Sequence, residues 1–472
     1  MIHISTSFAL LVVAIIILVC IAGSRLSGRL GVPTLFIFIM LGMLFGSDGI
    51  FKIPFGNFAL AEQVCSVALI FIMFYGGFGT RWSEAKPVAG RSILLSSAGV
   101  VLTALLTGLF CHLVLKMALM EGMLLGAVLG STDAASVFSI LRSRKLNLKY
   151  GTASMLELES GSNDPFAYMM TVILLSAMTG SVSGGSAVLL LIRQLAFGLL
   201  TGAAIAWLVT WLLKRYAFYG EGFDTIFVFA AAIISYALAS QIGGNGYLSV
   251  YLTGIILGNQ ELKNQKALVG FFDAFTGMMQ MLLFFLLGLL AFPSQMPSIV
   301  LPAIAIALFL TFVARPAAVG LLLAPSKPPI GQYLVISWAG LRGAASIVFA
   351  IMATLSEGYM KHDIFHIVFC VVLFSIIFQG SLLPKVAEKC DMIDNSSDVM
   401  RTFSDYTGDM QIQFVQLPIG DNHPWKNRKI CEIEMLPGML ITVIRRGAQT
   451  IVPKGQTVIL EGDTVVLGAE GF

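Results

Sequence analysis

The chain has 472 residues, a length that by itself allows about two to four soluble domains. Composition excludes them: 57% of residues are hydrophobic, only 12% are charged, and the mean hydropathy is +0.88. The net charge of +3 and the lack of a suitable basic run exclude a nucleic-acid partner. The six cysteines (Cys20, Cys65, Cys111, Cys370, Cys390, Cys431) lack CxxC or Cys/His spacing, so they read as membrane-core residues or free thiols, not as a disulfide or zinc framework.

Apolar windows bounded by charge, Gly and Pro predict thirteen membrane spans. In chain order they lie near 5–23, 33–47, 61–79, 92–115, 121–141, 151–178, 187–213, 223–241, 245–258, 267–291, 297–323, 333–355 and 363–384. The first has neither a positive n-region nor a small-residue cleavage site, so it reads as a mature helix. Loop charge supports the count. Connections after odd-numbered spans carry Arg25 and Arg29, Arg81 and Lys86, Arg142 to Lys149, Lys214 and Arg215, Lys263 and Lys266, Lys327, then Lys385 and Lys389; the others carry little, Lys52 and Lys361 among it. The positive-inside rule then places the N-terminus outside and the C-terminus in the cytoplasm.

Residues 386–407 turn polar and read as a linker after a membrane domain of 1–385. From 408 to 472, alternating segments such as "MQIQFVQLPIG" and "MLITVIRRGAQTIVPKGQTVILEGDTVVLG" indicate strands, with "NRKICEIEML" between them as a short amphipathic helix. A unit of about 65 residues is marginal alone and is expected to dimerise. The chain ends directly after its last expected strand, which suggests a continuation.

Two segments resemble each other, "LGSTDAASV" (129–137) in the fifth span and "AGLRGAASI" (339–347) in the twelfth. Six of nine positions match, counting Val137/Ile347 and Leu129/Ala339 as similar. Being an odd number of spans apart, they run in opposite directions, as an inverted repeat of discontinuous helices around a midplane site requires. Asp133 suits the positive end of such a half-helix, and a buried Arg342 needs a carboxylate. The sixth span carries "ESGSNDPF" (159–166). Glu159, Ser160, Asn163 and Asp164 share about 140° of one helical face, costly in a bilayer unless the burial serves a purpose. Glu159 is the expected partner of Arg342. Asp164 is left with Asn163, Ser160 and carbonyls of the unwound fifth span, so that a proton and a dehydrated monovalent cation compete for it. Glu157 lies on the same stripe toward the cytoplasm, and Asp273 is expected at the interface.

With these stretches the chain resembles cation/proton antiporter family 1. "ESGSNDP" is similar to its E-S-x-x-N-D motif, and "GSTDAAS", "GYLSVYLTGIILGN" and "WAGLRGAASI" look like further signatures in the family order. The resemblance implies an NhaA-like fold of about 13 transmembrane helices with crossed discontinuous segments, working as a homodimer in the bacterial inner membrane. It implies a shared K+ or Na+ and proton site at Asp164, assisted by Ser160 and the Thr132 carbonyl, an ion pair of Glu159 with Arg342, and Asn163 as the mark of electroneutral exchange. Tyr75 in "MFYGGFG" stands where some sodium-transporting members have an acid, which leans the reading toward K+. The tail resembles the TrkA-C (RCK-C) domain, which implies a nucleotide or small-anion ligand, with Arg445, Arg446 and Lys454 as candidates to contact it. No cofactor is expected. A ligand-gated cation channel is the alternative suggested by the tail, but no TVGYG-type filter is present; nor is a nucleophile–base or metal constellation that would make an enzyme.

Overall fold

The computed structural model describes residues 6–30, 33–144, 146–181, 184–215, 222–262, 264–356, 358, 360–394, 412–421, 423–433, 435, 439–447 and 449–470. The chain forms two compact units, Met1–Arg401 and Thr402–Phe472. Much of the expected linker, residues 395–407, lies outside the described residues.

The first unit is helical. It opens with α1 (Thr6–Leu30), α2 (Thr34–Phe45), α3 (Phe58–Gly79), the single turn α4 (Trp82–Ala85) and α5 (Ala89–Leu113). Two short helices follow, α6 (Leu119–Val128) and α7 (Ala134–Ser143), then α8 (Thr152–Met178) and α9 (Gly184–Arg215). Next come α10 (Phe223–Gln241), α11 (Gly246–Gly258) and α12 (Gln265–Leu290). A continuous helix is assembled from α13 (Met296–Phe309), a π-helical turn (Leu310–Ala314) and α14 (Arg315–Leu323). A second broken pair, α15 (Ile330–Trp338) and α16 (Ala344–Leu355), precedes α17 (Ile364–Phe374), a second π-turn (Ser375–Gly380) and α18 (Ser381–Lys389). The last helix thus runs four residues beyond the expected boundary at 385.

Among the described residues, seven helical stretches are long and apolar enough to cross a membrane. The 27-residue α8 is long enough, but its own polar cluster keeps it out of that group. Where two helices touch, small residues let the backbones approach, the usual route to packing when lipid is as apolar as the protein core. A Cβ on Gly254 of α11 would lie 2.2 Å from the Phe74 carbonyl of α3, and one on Gly77 of α3 2.3 Å from the Tyr251 carbonyl. The α2–α12 contact is similar, with Gly42 and Gly288 each meeting the facing backbone. Val137 and Leu141 of α7, Leu156 of α8, Val335 of α15 and Leu383 of α18 share one apolar cluster, which holds the polar breaks in place from one side.

The second unit is an antiparallel sheet of β1 (Ile412–Pro418), β2 (Met439–Arg446), β3 (Gln449–Ile451) and β4 (Asp463–Glu470) in the order β1-β4-β2-β3. A register shift between Ile441 and Val443 interrupts the β2–β4 ladder. The helix expected within 427–436 is only a 3-10 turn at Ile430–Glu432. Ile430 and Cys431 give their N–H groups to the Thr457 and Gly455 carbonyls, so this stretch pairs with a neighbouring loop instead of closing helical bonds.

Gly254→Val should force α3 and α11 apart at a cost of about 1–3 kcal/mol. The thermal midpoint in detergent should fall accordingly, and an unchanged midpoint would show that this close approach is dispensable.

Candidate functional site: the crossing of two broken helices

The sequence repeat is also a backbone repeat. Leu129 ends α6 at φ −79°, ψ 0°, and Ala339 ends α15 at φ −70°, ψ 0°. Five residues after Leu129 Ala134 starts α7, and five after Ala339 Ala344 starts α16. Unwound backbone inside a membrane must find partners within the protein, and here each break supplies the other. The Asp133 N–H donates to the Leu341 carbonyl at 2.8 Å, and Arg342 Nη1 donates to the Ser131 carbonyl at 3.1 Å. The Arg342 N–H is taken by Ser375 Oγ at 3.0 Å, whose own proton goes to Gln379 Oε1 at 2.5 Å in the second π-turn.

Asp133 caps α7. Its carboxylate accepts from the Ser136 N–H at 3.2 Å and from Ser136 Oγ at 2.5 Å, as expected for an anion at a half-helix N-terminus. It also lies against the start of α16, where a Cβ on Gly343 would come within 2.8 Å of Oδ2. One carboxylate therefore stands beside the N-termini of both half-helices.

α8 passes this crossing with its polar face. Ser160 Oγ donates to the Thr132 carbonyl at 2.6 Å, Asn163 Nδ2 donates to Thr132 Oγ1 at 2.5 Å, and Asn163 Oδ1 accepts the Thr132 N–H at 3.3 Å. Asp164 is half-buried and accepts from Ser131 Oγ. The result is one carboxylate among neutral hard oxygens, a donor set suited to a monovalent cation or a proton. Pro165 removes the N–H that the Gly161 carbonyl would use. The Pro165 carbonyl receives Asn245 Nδ2 at 2.9 Å, while Asn245 Oδ1 caps α11 by accepting from Leu248 N–H at 3.0 Å. The proline thus marks where α8 is tied to the start of α11.

One expected pairing is corrected. Glu159 forms its ion pair with Arg315, Nη1 to Oε1 at 2.6 Å, with side-chain exposures of 6% for Arg315 and 1% for Glu159. Arg342 is held in the break by Ser131 and Ser375. Arg315 follows directly on the π-turn at 310–314, whose wider winding changes the angle at which later side chains leave the helix. Glu159 Oε2 and Arg315 Nε have no hydrogen-bond partner among the described residues, and Arg315 borders a small cavity whose polar lining is Thr311, Arg315, Arg342, Ser375 and Gln379.

Sequence reasoning assigned no role to Ser131, Arg315 or Asn245. Ser131 lies inside the quoted "GSTDAAS", one residue before the group singled out. Arg315 was detectable as a charge in the middle of an apolar span. Tyr75 donates to Asp273 Oδ1 at 3.0 Å, and Glu157 is half-buried.

In the second unit, Arg446 is committed to the fold. Its Nε and Nη2 reach Asp463 Oδ1 and Oδ2 at 2.8 Å each, and Nη2 also meets the Val458 carbonyl at 2.9 Å. This bidentate partner holds the buried Asp463 below the usual carboxylate range. Arg446 is therefore removed from the ligand candidates. Arg445 and Lys454 are exposed.

Arg315→Gln leaves Glu159 buried and unpaired, a loss of roughly 3–5 kcal/mol. It should lower the thermal midpoint more than Arg342→Gln does, and Glu159→Gln added to Arg315→Gln should restore part of it. The reverse ranking of the two single variants would return Glu159 to Arg342.

A family model described as "Sodium/hydrogen exchanger, transmembrane" matches residues 14–389, and the TrkA-C domain model matches residues 414–470. The K(+)/H(+) antiporter NhaP of Alkalimonas amylolytica is 37% identical over 382 residues, covering 81% of this chain and 66% of the relative. The K(+)/H(+) antiporter NhaP2 of Shewanella oneidensis is 36% identical over 381 residues, covering 80% and 66%. The chain thus spans 66% of the length of these curated relatives. Among solved structures, the sodium proton antiporter MjNhaP1 from Methanocaldococcus jannaschii at pH 8 is similar in fold. It superposes with a TM-score of 0.71 at 23% identity, over 81% of this chain and 99% of that one. With four-fifths of its length inside the family model and its two broken helices crossing at an acidic site, the chain belongs to the sodium/hydrogen exchanger family.

Proposed function

We propose that the protein is an electroneutral monovalent cation/proton antiporter, selective for K+ over Na+, with Asp164 carrying either the cation or the proton. The observation that carries this reading is a half-buried carboxylate, Asp164, that accepts from Ser131 Oγ at a crossing of broken helices, on the same helix as Ser160 and Asn163, which bind Thr132 in the break. Desolvation favours protonated Asp164, and oxygen ligands favour the ionised form with a bound cation. Carrying neither, the carboxylate is a bare buried charge and cannot change sides at low cost. Binding one substrate therefore requires release of the other, and a one-for-one exchange follows. Asn163 is neutral and engaged with Thr132, so Asp164 is the one titrating group of the pair.

Selectivity for K+ rests on Tyr75, which puts a phenol where an acid would strengthen the field for a smaller ion, and on the relatives named as K(+)/H(+) antiporters. The remaining parts of the reading are thirteen crossings, an outer N-terminus and cytoplasmic C-terminus in a bacterial inner membrane, and a homodimer with alternating access. Loop charge supports the orientation. The tail, residues 408–472, is assigned a regulatory role through a nucleotide or small anion near Arg445 and Lys454. The channel reading is set aside by the family membership.

In proteoliposomes with an imposed pH gradient, K+ should dissipate it faster than Na+, and Asp164→Asn should reduce both to background while leaving the protein monodisperse. Persistent exchange by Asp164→Asn would remove Asp164 from the role, and faster Na+ exchange would reverse the selectivity. Charge movement in a capacitive-current recording on cation addition would refute a one-for-one stoichiometry. Deleting 408–472 should change the response to added nucleotides and leave exchange itself in place.

A further inference from the structure

The helices of the first unit pack as two groups, and the candidate site lies in one of them. α5 to α8 and α13 to α18 form the first group, which carries Ser131, Thr132, Ser160, Asn163 and Asp164; α2, α3 and α9 to α12 form the second. Within each group glycines bring backbone against backbone. A Cβ on Gly126 of α6 would lie 2.6 Å from the Ala104 carbonyl of α5, and one on Gly202 of α9 2.6 Å from the Ser249 carbonyl of α11. α8 meets α11 in another way. The Tyr251 ring covers Gly161, and the Tyr168 ring packs edge-on against Tyr247 with centroids 5.1 Å apart. Backbone contacts fix one geometry, whereas side chains between helices can turn to other rotamers and repack.

Asn245 makes a hydrogen bond across this contact. It is fully buried at the start of α11. Its N–H donates to the Gln194 carbonyl of α9 at 3.0 Å, its carbonyl accepts the Ser249 N–H at 3.1 Å, and its Oδ1 caps α11 by accepting from the Leu248 N–H at 3.0 Å. All three bonds stay in the second group. Nδ2 crosses to the first, where it meets the Pro165 carbonyl at 2.9 Å, one residue from Asp164. Asn245 is thus rooted in one group and holds the other by a single bond. The bonds that build the site, from Ser160 and Asn163 to Thr132 and from Ser131 to Asp164, all lie within the first group. Alternating access that keeps the site intact must therefore yield at the joint between the groups.

We propose that Asn245 is a positioning residue for exchange: its amide latches α8 to α11 in the arrangement seen here and releases the Pro165 carbonyl each time Asp164 changes the face it serves. The inference rests on the antiporter reading. A neutral amide suits the task, because its release strands no charge in the membrane. One such bond biases the two arrangements by about fivefold, enough to set the resting state and too little to hold it permanently.

The first test removes the latch and keeps the cap. Asn245→Ser retains an oxygen to accept from Leu248 but is too short to reach Pro165. With rubidium as the probe cation, rubidium/proton exchange is measured in right-side-out and in everted membrane vesicles. Loss of the latch shifts the balance away from the arrangement seen here, so the rubidium KM should rise at one face and fall at the other, by up to about fivefold. A general loss of packing would not split the two faces; KM values that move together, or not at all, would overturn the latch. The second test joins the helices. With the native cysteines replaced, Tyr168→Cys and Tyr247→Cys linked by a short cleavable bifunctional thiol reagent should stop exchange, and cleaving the linker should restore it. Exchange that continues across the link would show that α8 and α11 move together and would also overturn the latch. Wild-type vesicles without cation/proton exchange would instead remove the antiporter reading.

Discussion

The hydrogen bonds that pass between the two helix breaks are the constraint on which the rest depends. Breaking a helix inside a low-dielectric layer leaves several N–H and C=O groups without partners, each costing several kcal/mol if left so. The Asp133 N–H to Leu341 bond and the Arg342 guanidinium to Ser131 bond meet that need only when the two breaks lie against each other. Once they do, the polar face of α8 has backbone groups to bind, and the Thr132 carbonyl and hydroxyl align Ser160 and Asn163. Asp164 is positioned by this chain of needs, with Ser131 as its own direct contact.

The charges at the crossing fall into three separate roles by partner. Among the described residues Asp133 is occupied by helix ends, Glu159 by Arg315, and Asp164 by the Ser131 hydroxyl. A group already neutralised by a fixed positive charge cannot serve as an exchangeable site without a large penalty. In the proposed exchange scheme Asp164, the carboxylate without a fixed positive partner or a helix end, is the one left to choose between proton and cation.

Much of this was legible in the sequence. The nine-residue repeat located both breaks, and the backbone follows it so closely that Ala134 and Ala344 open the second halves in register. The four-residue spacing on α8 brought Ser160, Asn163 and Asp164 to one face. The apolar windows have helical counterparts among the described residues of the first unit. The partner of Glu159 was not legible, because it depends on how far Arg315 is rotated about its helix axis, and a π-turn alters that rotation without a sequence signal. In the tail, "NRKICEIEML" carries an amphipathic pattern, yet its N–H groups are drawn into loop pairing before a helix can close. Arg446 looked available to a ligand because its bidentate partner, Asp463, lies 17 residues away across the sheet.

The two π-helical turns, Leu310–Ala314 and Ser375–Gly380, border the same polar cavity. Each holds more residues per turn than the α-helix around it, so removing one residue would restore regular winding and swing everything beyond it by about 100°. In the first helix that swing would carry Arg315 off Glu159; in the second it would carry Gln379 off Ser375. These apolar helices tolerate exchange of one greasy side chain for another over most of their surface. They should be intolerant of a change in length at either turn, and there the reading frame of the helix, more than the identity of any residue, is what descent must preserve.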